Sequence, residues 1–228
     1  MLKNLLKKIL FKKSNLEKYF FDYSNFQQNT LSYYFKERNS YNDNIKIIYD
    51  IGAHKGDWAK QIKKVFSKSS FYLFEANKVH LKNLKKIEKN SFIVLLSNKS
   101  EKKTFYALNK TGDSYLKQKT GYDQSRSQEI NSITLDEFVS QNSIPLPDFI
   151  KLDTQGSELD ILNGSQNILK NCKFILIELP ILNLNLNAPL FQKYLEFMNI
   201  HNFAPVELIE KHIHNNMLVQ IDLLFEKK

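Results

Sequence analysis

The spacing of apolar residues changes near residue 45. Before it, Leu2, Leu5, Leu6, Ile9 and Leu10 share one helical face, with Lys3, Lys7, Lys8 and Lys12 off it. That spacing predicts an amphipathic helix over residues 1–22. Residues 23–44 are polar and aromatic and read as helix fragments and linker. From Ile45 onward, short β-branched and aromatic runs alternate with stretches of helical period. Ile45, Ile47, Ile48, Tyr49 and Ile51 form the first run, a composition suited to a strand buried on both faces. Gly52 and Gly56 follow, then Trp58, Ile62, Val65 and Phe66 at helical spacing. Residues 71–76 predict a second strand. Leu81, Leu84 and Ile87 mark a helix whose solvated face carries Lys82, Lys85, Lys86 and Lys89. Residues 92–96, 149–153 and 174–178 predict three more strands, and 191–198 a helix. Val206 to Ile209 and Leu218 to Phe225 form a closing antiparallel pair, with Asp222 set across its apolar pattern.

Strands alternating with helices predict an α/β domain, a mostly parallel sheet with helices on both faces. The chain then divides into an amphipathic appendage and linker, residues 1–44, and a sheet domain, residues 45–228. Residues 104–134 interrupt the alternation. Thr104 to Ala107 reads as an extra strand, and the polar stretch around Gly112 and Gly121 as a substrate loop or plain disorder. Thr134 caps a short helix, Pro145 and Pro147 break the chain, and Ser157-Glu158 opens a helix with a pattern like a capping box. Gly164 reads as its stop.

Composition narrows the partners. The net charge is +9, but of 33 basic residues only Arg38 and Arg126 are arginine, the residue favoured for base readout and bidentate phosphate clamps. No specific nucleic-acid partner is expected. One cysteine, Cys172, excludes an intramolecular disulfide and fits a reducing, cytoplasmic compartment. There is no run of 18 uninterrupted apolar residues to span a membrane, and lysines interrupt the N-terminal stretch too often for a signal peptide. Residues 1–20 have two readings: peripheral contact with an anionic inner membrane surface, or packing on the domain or a second subunit.

The chemistry concentrates at strand ends. Asp50 precedes a G-x-x-x-G turn, unlike the G-x-G-x-x-G of dinucleotide sites. An acidic turn suits a cofactor with an amine and a sulfonium and no phosphate, S-adenosyl-L-methionine. Glu75 ends the second strand 25 residues on, placed to accept ribose hydroxyls. Asp50, Gly52, Ala53, His54, Gly56, Trp58, Glu75, Ala76, Ser97 and Asp153 are the expected cofactor contacts, with Ser97-Asn98 toward the adenine. Asp153 is the first candidate to take a hydroxyl proton, with Glu178 and His54 behind it; its competing role is to cap the next helix. No metal is expected. His80, His201, His212 and His214 show no zinc spacing with cysteine, although magnesium at Asp153 stays open.

Asp-Ile-Gly-Ala-His-Lys-Gly-Asp, Phe-Glu-Ala, Ile-Thr-Leu-Asp-Glu-Phe, Lys-Leu-Asp-Thr-Gln-Gly-Ser-Glu-Leu-Asp-Ile-Leu-Asn-Gly and the closing Ile-Asp-Leu-Leu-Phe-Glu-Lys together resemble the FkbM family of S-adenosylmethionine-dependent methyltransferases. The resemblance runs from about Ile47 to Lys228 and is most specific at Lys151 to Gly164. It implies the class I methyltransferase, Rossmann-like fold: seven strands, the last antiparallel. It also implies O-methylation of a hydroxyl on a sugar, glycan or related small acceptor. Asp50, Gly52 and Gly56 would carry over to the methionine-binding turn, Glu75 to the ribose contact, and Asp153 and Glu158 to the motif after strand four. His54 stands where the family commonly has asparagine, and Ala76 where it has proline. Two other readings compete: a nicotinamide-dependent oxidoreductase on the same fold, and a nucleic-acid methyltransferase or binding module. The first lacks its third glycine, and the second lacks an Asp/Asn-Pro-Pro-aromatic motif after strand four.

Overall fold

A computed structural model describes residues 30–37, 44–107, 113–117, 127–182 and 185–228. The amphipathic stretch at 1–22, Gly112, Gly121 and most of the expected substrate loop lie outside the described residues.

Seven strands form the main sheet: β1 (Ile47–Ile51), β2 (Ser70–Glu75), β3 (Ser91–Ile93), β7 (Phe149–Leu152), β8 (Phe174–Pro180), β9 (Phe203–His214) and β10 (Met217–Lys227). Their order is β3-β2-β1-β7-β8-β10-β9. β1 pairs in parallel with β2 and β7, and β8 in parallel with β7; β10 runs antiparallel to both β8 and β9. The last strand is therefore the reversed one, as expected. A second, small sheet has the order β4-β6-β5, built from β4 (Leu95–Leu96), β5 (Lys102–Tyr106) and β6 (Ser127–Ile133).

Strand alternation sorts the core into two layers. Tyr49, Ile51, Phe74, Ile150, Leu152, Ile175 and Ile177 face one cluster. It also takes in residues of α4 (Leu135–Gln141), α5 (Glu158–Asn163), α6 (Gln166–Asn171) and α7 (Phe191–Ile200). Ile48, Phe71, Leu73, Phe149, Phe174 and Leu176 face the other, with α1 (Thr30–Glu37), α2 (Asp57–Ile62) and α3 (Leu81–Ile87). One-residue alternation across parallel strands is what a sheet covered on both faces requires.

Two expectations change, at residues 92–96 and at Ser157. Among residues 23–44, read as helix fragments and linker, α1 is one such helix, and the compact unit begins at Leu31. Leu31, Tyr34 and Phe35 recur at i, i+3, i+4, and Phe35 is fully buried among the rings of Phe66, Phe149 and Phe174 at 5.0, 5.8 and 5.1 Å. Burial of a side chain that size is worth about 1.5–3 kcal/mol, which holds the helix on the sheet. Residues 92–96 are not one strand. Val94 donates its N–H to Glu75 O at 2.8 Å, and the chain then leaves β2 to pair Leu95 and Leu96 with β6. Ser157 makes no side-chain cap; its hydroxyl bonds Thr154 O at 3.0 Å instead. Thr134 and Glu137 do form the reciprocal capping box that opens α4.

Candidate active site

The turn after β1 is built by close approach. Gly52 and Ala53 both donate to Phe74 O, at 2.9 and 3.0 Å, which ties the turn to β2. Gly52 has φ +79°, and a Cβ there would lie 1.9 Å from Asp153 O. Only glycine lets the ends of β1 and β7 approach so closely. Gly56 caps α2, and its missing Cβ makes room for Ile87 and Leu84 of α3. Gly164 has an ordinary φ; a Cβ there would meet Ser97 O at 2.4 Å, so tight packing, more than helix termination, demands it.

Beside this turn lies a cavity of about 450 Å³. Gly52, His54, Glu75 and Ala76 line its β1–β2 side. Glu75 is held by two backbone amides: Asn77 N donates to Oε1 and His54 N to Oε2, both at 2.7 Å. Both oxygens keep lone pairs for further donors. Burial raises the Glu75 pKa in spite of these bonds. The ring of His54 meets that of His80 edge-on at 4.3 Å. Burial lowers the pKa of both imidazoles.

Across the cavity stand Asp153, Gln155, Glu178, His212 and Gln220. From β2 to β8 is three strand spacings, about 14 Å, so Glu75 and Glu178 stand on opposite sides of the cavity. The Gln155 amide links the two acids on this side, donating to Asp153 Oδ1 at 3.0 Å and Glu178 Oε2 at 2.6 Å. Gln220 donates to the same Glu178 oxygen at 2.8 Å. His212 Nε2 lies 2.9 Å from Asp222 Oδ1 and 3.7 Å from Glu178 Oε1. Burial, with the charges of Asp153, Asp222 and Glu158, pushes Glu178 up to about 10. Burial also acts on Asp153, but the Lys151 ammonium at 3.1 Å and the Gln155 amide outweigh it and hold that carboxyl below its ordinary value. The hydrogen bond to Asp222 raises His212.

Glu158, 1 % exposed, holds the Thr154–Gly156 turn from beneath. Its carboxylate accepts the N–H groups of Thr154 and Gly156 at 2.8 and 3.0 Å and the Tyr194 hydroxyl at 2.8 Å. The 113–117 segment closes another part of the wall. Asp113 accepts from Asn77 Nδ2 at 2.7 Å, and Tyr115 donates to Asp160 Oδ2 at 2.6 Å.

Of the expected contacts, Gly52, His54, Glu75, Ala76, Asp153 and Glu178 line the cavity. Asp50, Ala53, Gly56, Trp58 and Ser97 do not. Asp50 is 0 % exposed and pairs with Lys151 at 3.6 Å behind the wall, where the Lys151 ammonium also lies over Trp58. Ser97 is 0 % exposed, its N–H bonded to Ile133 O. His54 is not gathered with Asp153 and Glu178; it sits beside Glu75 and His80. Gln155, His212, Gln220 and Asp222 join the site unforeseen. Only Asp222 had a signal, as a carboxylate breaking the apolar pattern of β10.

The strand order and the cavity at the carboxyl ends of β1, β2, β7 and β8 define a class I methyltransferase fold. The chain belongs to the FkbM methyltransferase domain family, whose pattern matches residues 50–205. A curated relative, hexuronic acid methyltransferase AglP from Haloferax volcanii, is 36 % identical over 53 residues, 23 % of this chain and 22 % of that protein. The chain therefore matches only about a fifth of that relative's length. Two solved structures share the fold at TM-score 0.50. A fibrillarin/Nop5p complex is 12 % identical, covering 80 % of this chain and 73 % of that one. A Klebsiella pneumoniae protein assigned as an O-methyltransferase is 9 % identical, covering 87 % and 80 %. No helix among the described residues is long and apolar enough to cross a membrane.

Proposed function

We propose that this protein transfers the methyl group of S-adenosylmethionine to an oxygen of a sugar or glycan acceptor. The observation that carries the reading is the charge of the cavity. In a chain of net charge +9, Glu75, Asp113 and Asp153 line it beside the protonated Glu178 carboxyl, with no lysine or arginine among the described lining residues. Such a wall attracts a sulfonium and an ammonium and repels the pyrophosphate of a nicotinamide dinucleotide or a nucleic-acid backbone. Glu75, fixed by two amides, accepts the ribose hydroxyls. The acceptor lies on the far side, against Asp153, Gln155 and Glu178. Similarity to the Haloferax volcanii hexuronic acid methyltransferase supports a sugar acceptor.

In the reaction the acceptor oxygen attacks the methyl carbon in line with sulfur. Bound S-adenosylmethionine would supply the methyl group and would leave as the S-adenosylhomocysteine thioether, its sulfur keeping the C–S electron pair. Asp153 takes the hydroxyl proton. Holding the oxygen in line supplies several kcal/mol of the barrier.

The test incubates the protein with S-adenosylmethionine and a panel of hexoses, hexuronic acids and their glycans, read by mass spectrometry for a gain of one methyl group. Methylated sugar, with kcat lowered roughly 10²–10⁴-fold in Asp153→Asn and S-adenosylhomocysteine affinity retained, supports the reading. Binding of a nicotinamide cofactor in place of S-adenosylhomocysteine, or a methyl group placed on a nucleic-acid base, overturns it.

A further inference from the structure

We propose that Glu178, His212 and Asp222 form a binding site for a divalent cation of the Mn²⁺ class at the acceptor side of the cavity. The proposal rests on the acceptor reading above for what the cation does, but not for whether it binds.

Three strands converge here. Glu178 comes from β8, His212 from β9 and Asp222 from β10, and each offers a donor atom within 4.8 Å of the other two. His212 Nε2 is 2.9 Å from Asp222 Oδ1 and 3.7 Å from Glu178 Oε1. Ligands about 2.1 Å from one metal stand roughly 3 to 3.4 Å apart, so the cluster needs only small side-chain movements to close on an ion. One imidazole and two carboxylates suit Mn²⁺ better than a soft metal, and leave coordination positions open.

The surroundings fit a ligand set. Gln155 and Gln220 both donate to Glu178 Oε2, at 2.6 and 2.8 Å, so the other oxygen, Oε1, is the one turned to His212. Amide donors that orient a carboxylate in this way commonly stand behind metal ligands. Glu178 and His212 line the cavity, so an ion between them would face the acceptor space. Electrostatics asks for a cation there. Asp153 and Asp222 stand beside the Glu178 carboxyl, which would give up its proton to ligate an ion, and the Lys151 ammonium already serves Asp153 and Asp50. A hexuronic acid carries its own negative charge and would be repelled by this wall. An ion held by Glu178, His212 and Asp222 would reverse the local sign and give sugar oxygens a place to bind. Selectivity for acidic or vicinal-diol sugars follows.

Calorimetry and Mn²⁺ paramagnetic resonance test it on the full chain, with MnCl₂ as the only added ligand. The expected result is one saturable site in the wild type, weakened at least tenfold in both His212→Gln and Asp222→Asn and unchanged in Glu196→Gln, a surface carboxylate on α7. Thermal melts of each variant report that it is folded. No saturable site in the wild type, or equal affinity in the folded His212→Gln and Asp222→Asn proteins, overturns the proposal and leaves His212 as the internal cation of the cluster. A parallel titration with S-adenosylhomocysteine separates the two ideas. Mn²⁺ binding without S-adenosylhomocysteine binding removes the methyltransferase reading and leaves the metal site. The reverse removes only the metal site.

Discussion

Lys151 Nζ lies 3.6 Å from Asp50 Oδ1, between directly paired positions of β7 and β1. Asp50 is 0 % and Lys151 6 % exposed. Burial works against the ammonium, yet the charges of Asp153 and Asp50 hold the Lys151 pKa above the ordinary lysine value. Removing one partner of a buried pair strands the other, a loss of about 3–5 kcal/mol. Lys151→Met is therefore expected to lower urea stability by that order, and Asp50→Asn/Lys151→Met to recover most of the loss. A Lys151→Met protein as stable as wild type would show that the pair contributes nothing to holding β1 against β7.

Gly52→Ala should be worse than Gly156→Ala, although both glycines have positive φ, +79° and +99°. At Gly52 the new Cβ would meet backbone, Asp153 O at 1.9 Å; at Gly156 the nearest atom is Ala188 Cβ at 3.0 Å. Left-handed backbone alone costs roughly 1–2 kcal/mol for a residue with a Cβ. Separating β1 from β7 adds to that at Gly52 and moves Asp153. Equal melting temperatures for the two variants would count against a backbone contact as the constraint.

Glu75→Gln keeps the shape but puts an amide group against the N–H of His54 or Asn77. Hydrogen bonds to a charged acceptor are worth about 1.5–3 kcal/mol, so S-adenosylhomocysteine should bind roughly 10- to 100-fold more weakly by calorimetry. Affinity unchanged by this variant would take Glu75 out of the ribose contact.

The His54–His80 contact sets a pH dependence. Burial keeps both imidazoles below their ordinary value of 6.5 in the folded state. The unfolded chain then takes up protons first as pH falls. The native state loses stability as pH drops below about 6.5, and the loss levels off below the folded pKa values. Urea midpoints from pH 7.5 to 5 should therefore show a shallower decline in His80→Phe than in wild type. Parallel curves would mean that the ring pair is not the source.

Local order in the chain was enough for the sheet domain's main elements. Paired runs of β-branched residues and glycines placed β1, β2, β7, β8 and their helices, because burial on both faces of a parallel strand leaves an apolar run that needs no distant information. The same runs put Glu75, Asp153 and Glu178 at strand ends, where the cavity lies. Side-chain direction was not legible there. Asp50 and Ile51 are neighbours, but strand alternation turns Asp50 inward to Lys151 while Ile51 lines the cavity, a difference set by register with β7. α1 was legible only as a helix fragment; Phe35 becomes a core residue only against Phe66, Phe149 and Phe174. Glu178, His212 and Asp222 span 45 residues and share no sequence motif. They meet only because β10 enters the sheet between β8 and β9. The chain alone determined which residues could carry charge at the strand ends. Pairing between distant strands decided which of those charges face each other, because that depends on register and direction, which no local stretch encodes.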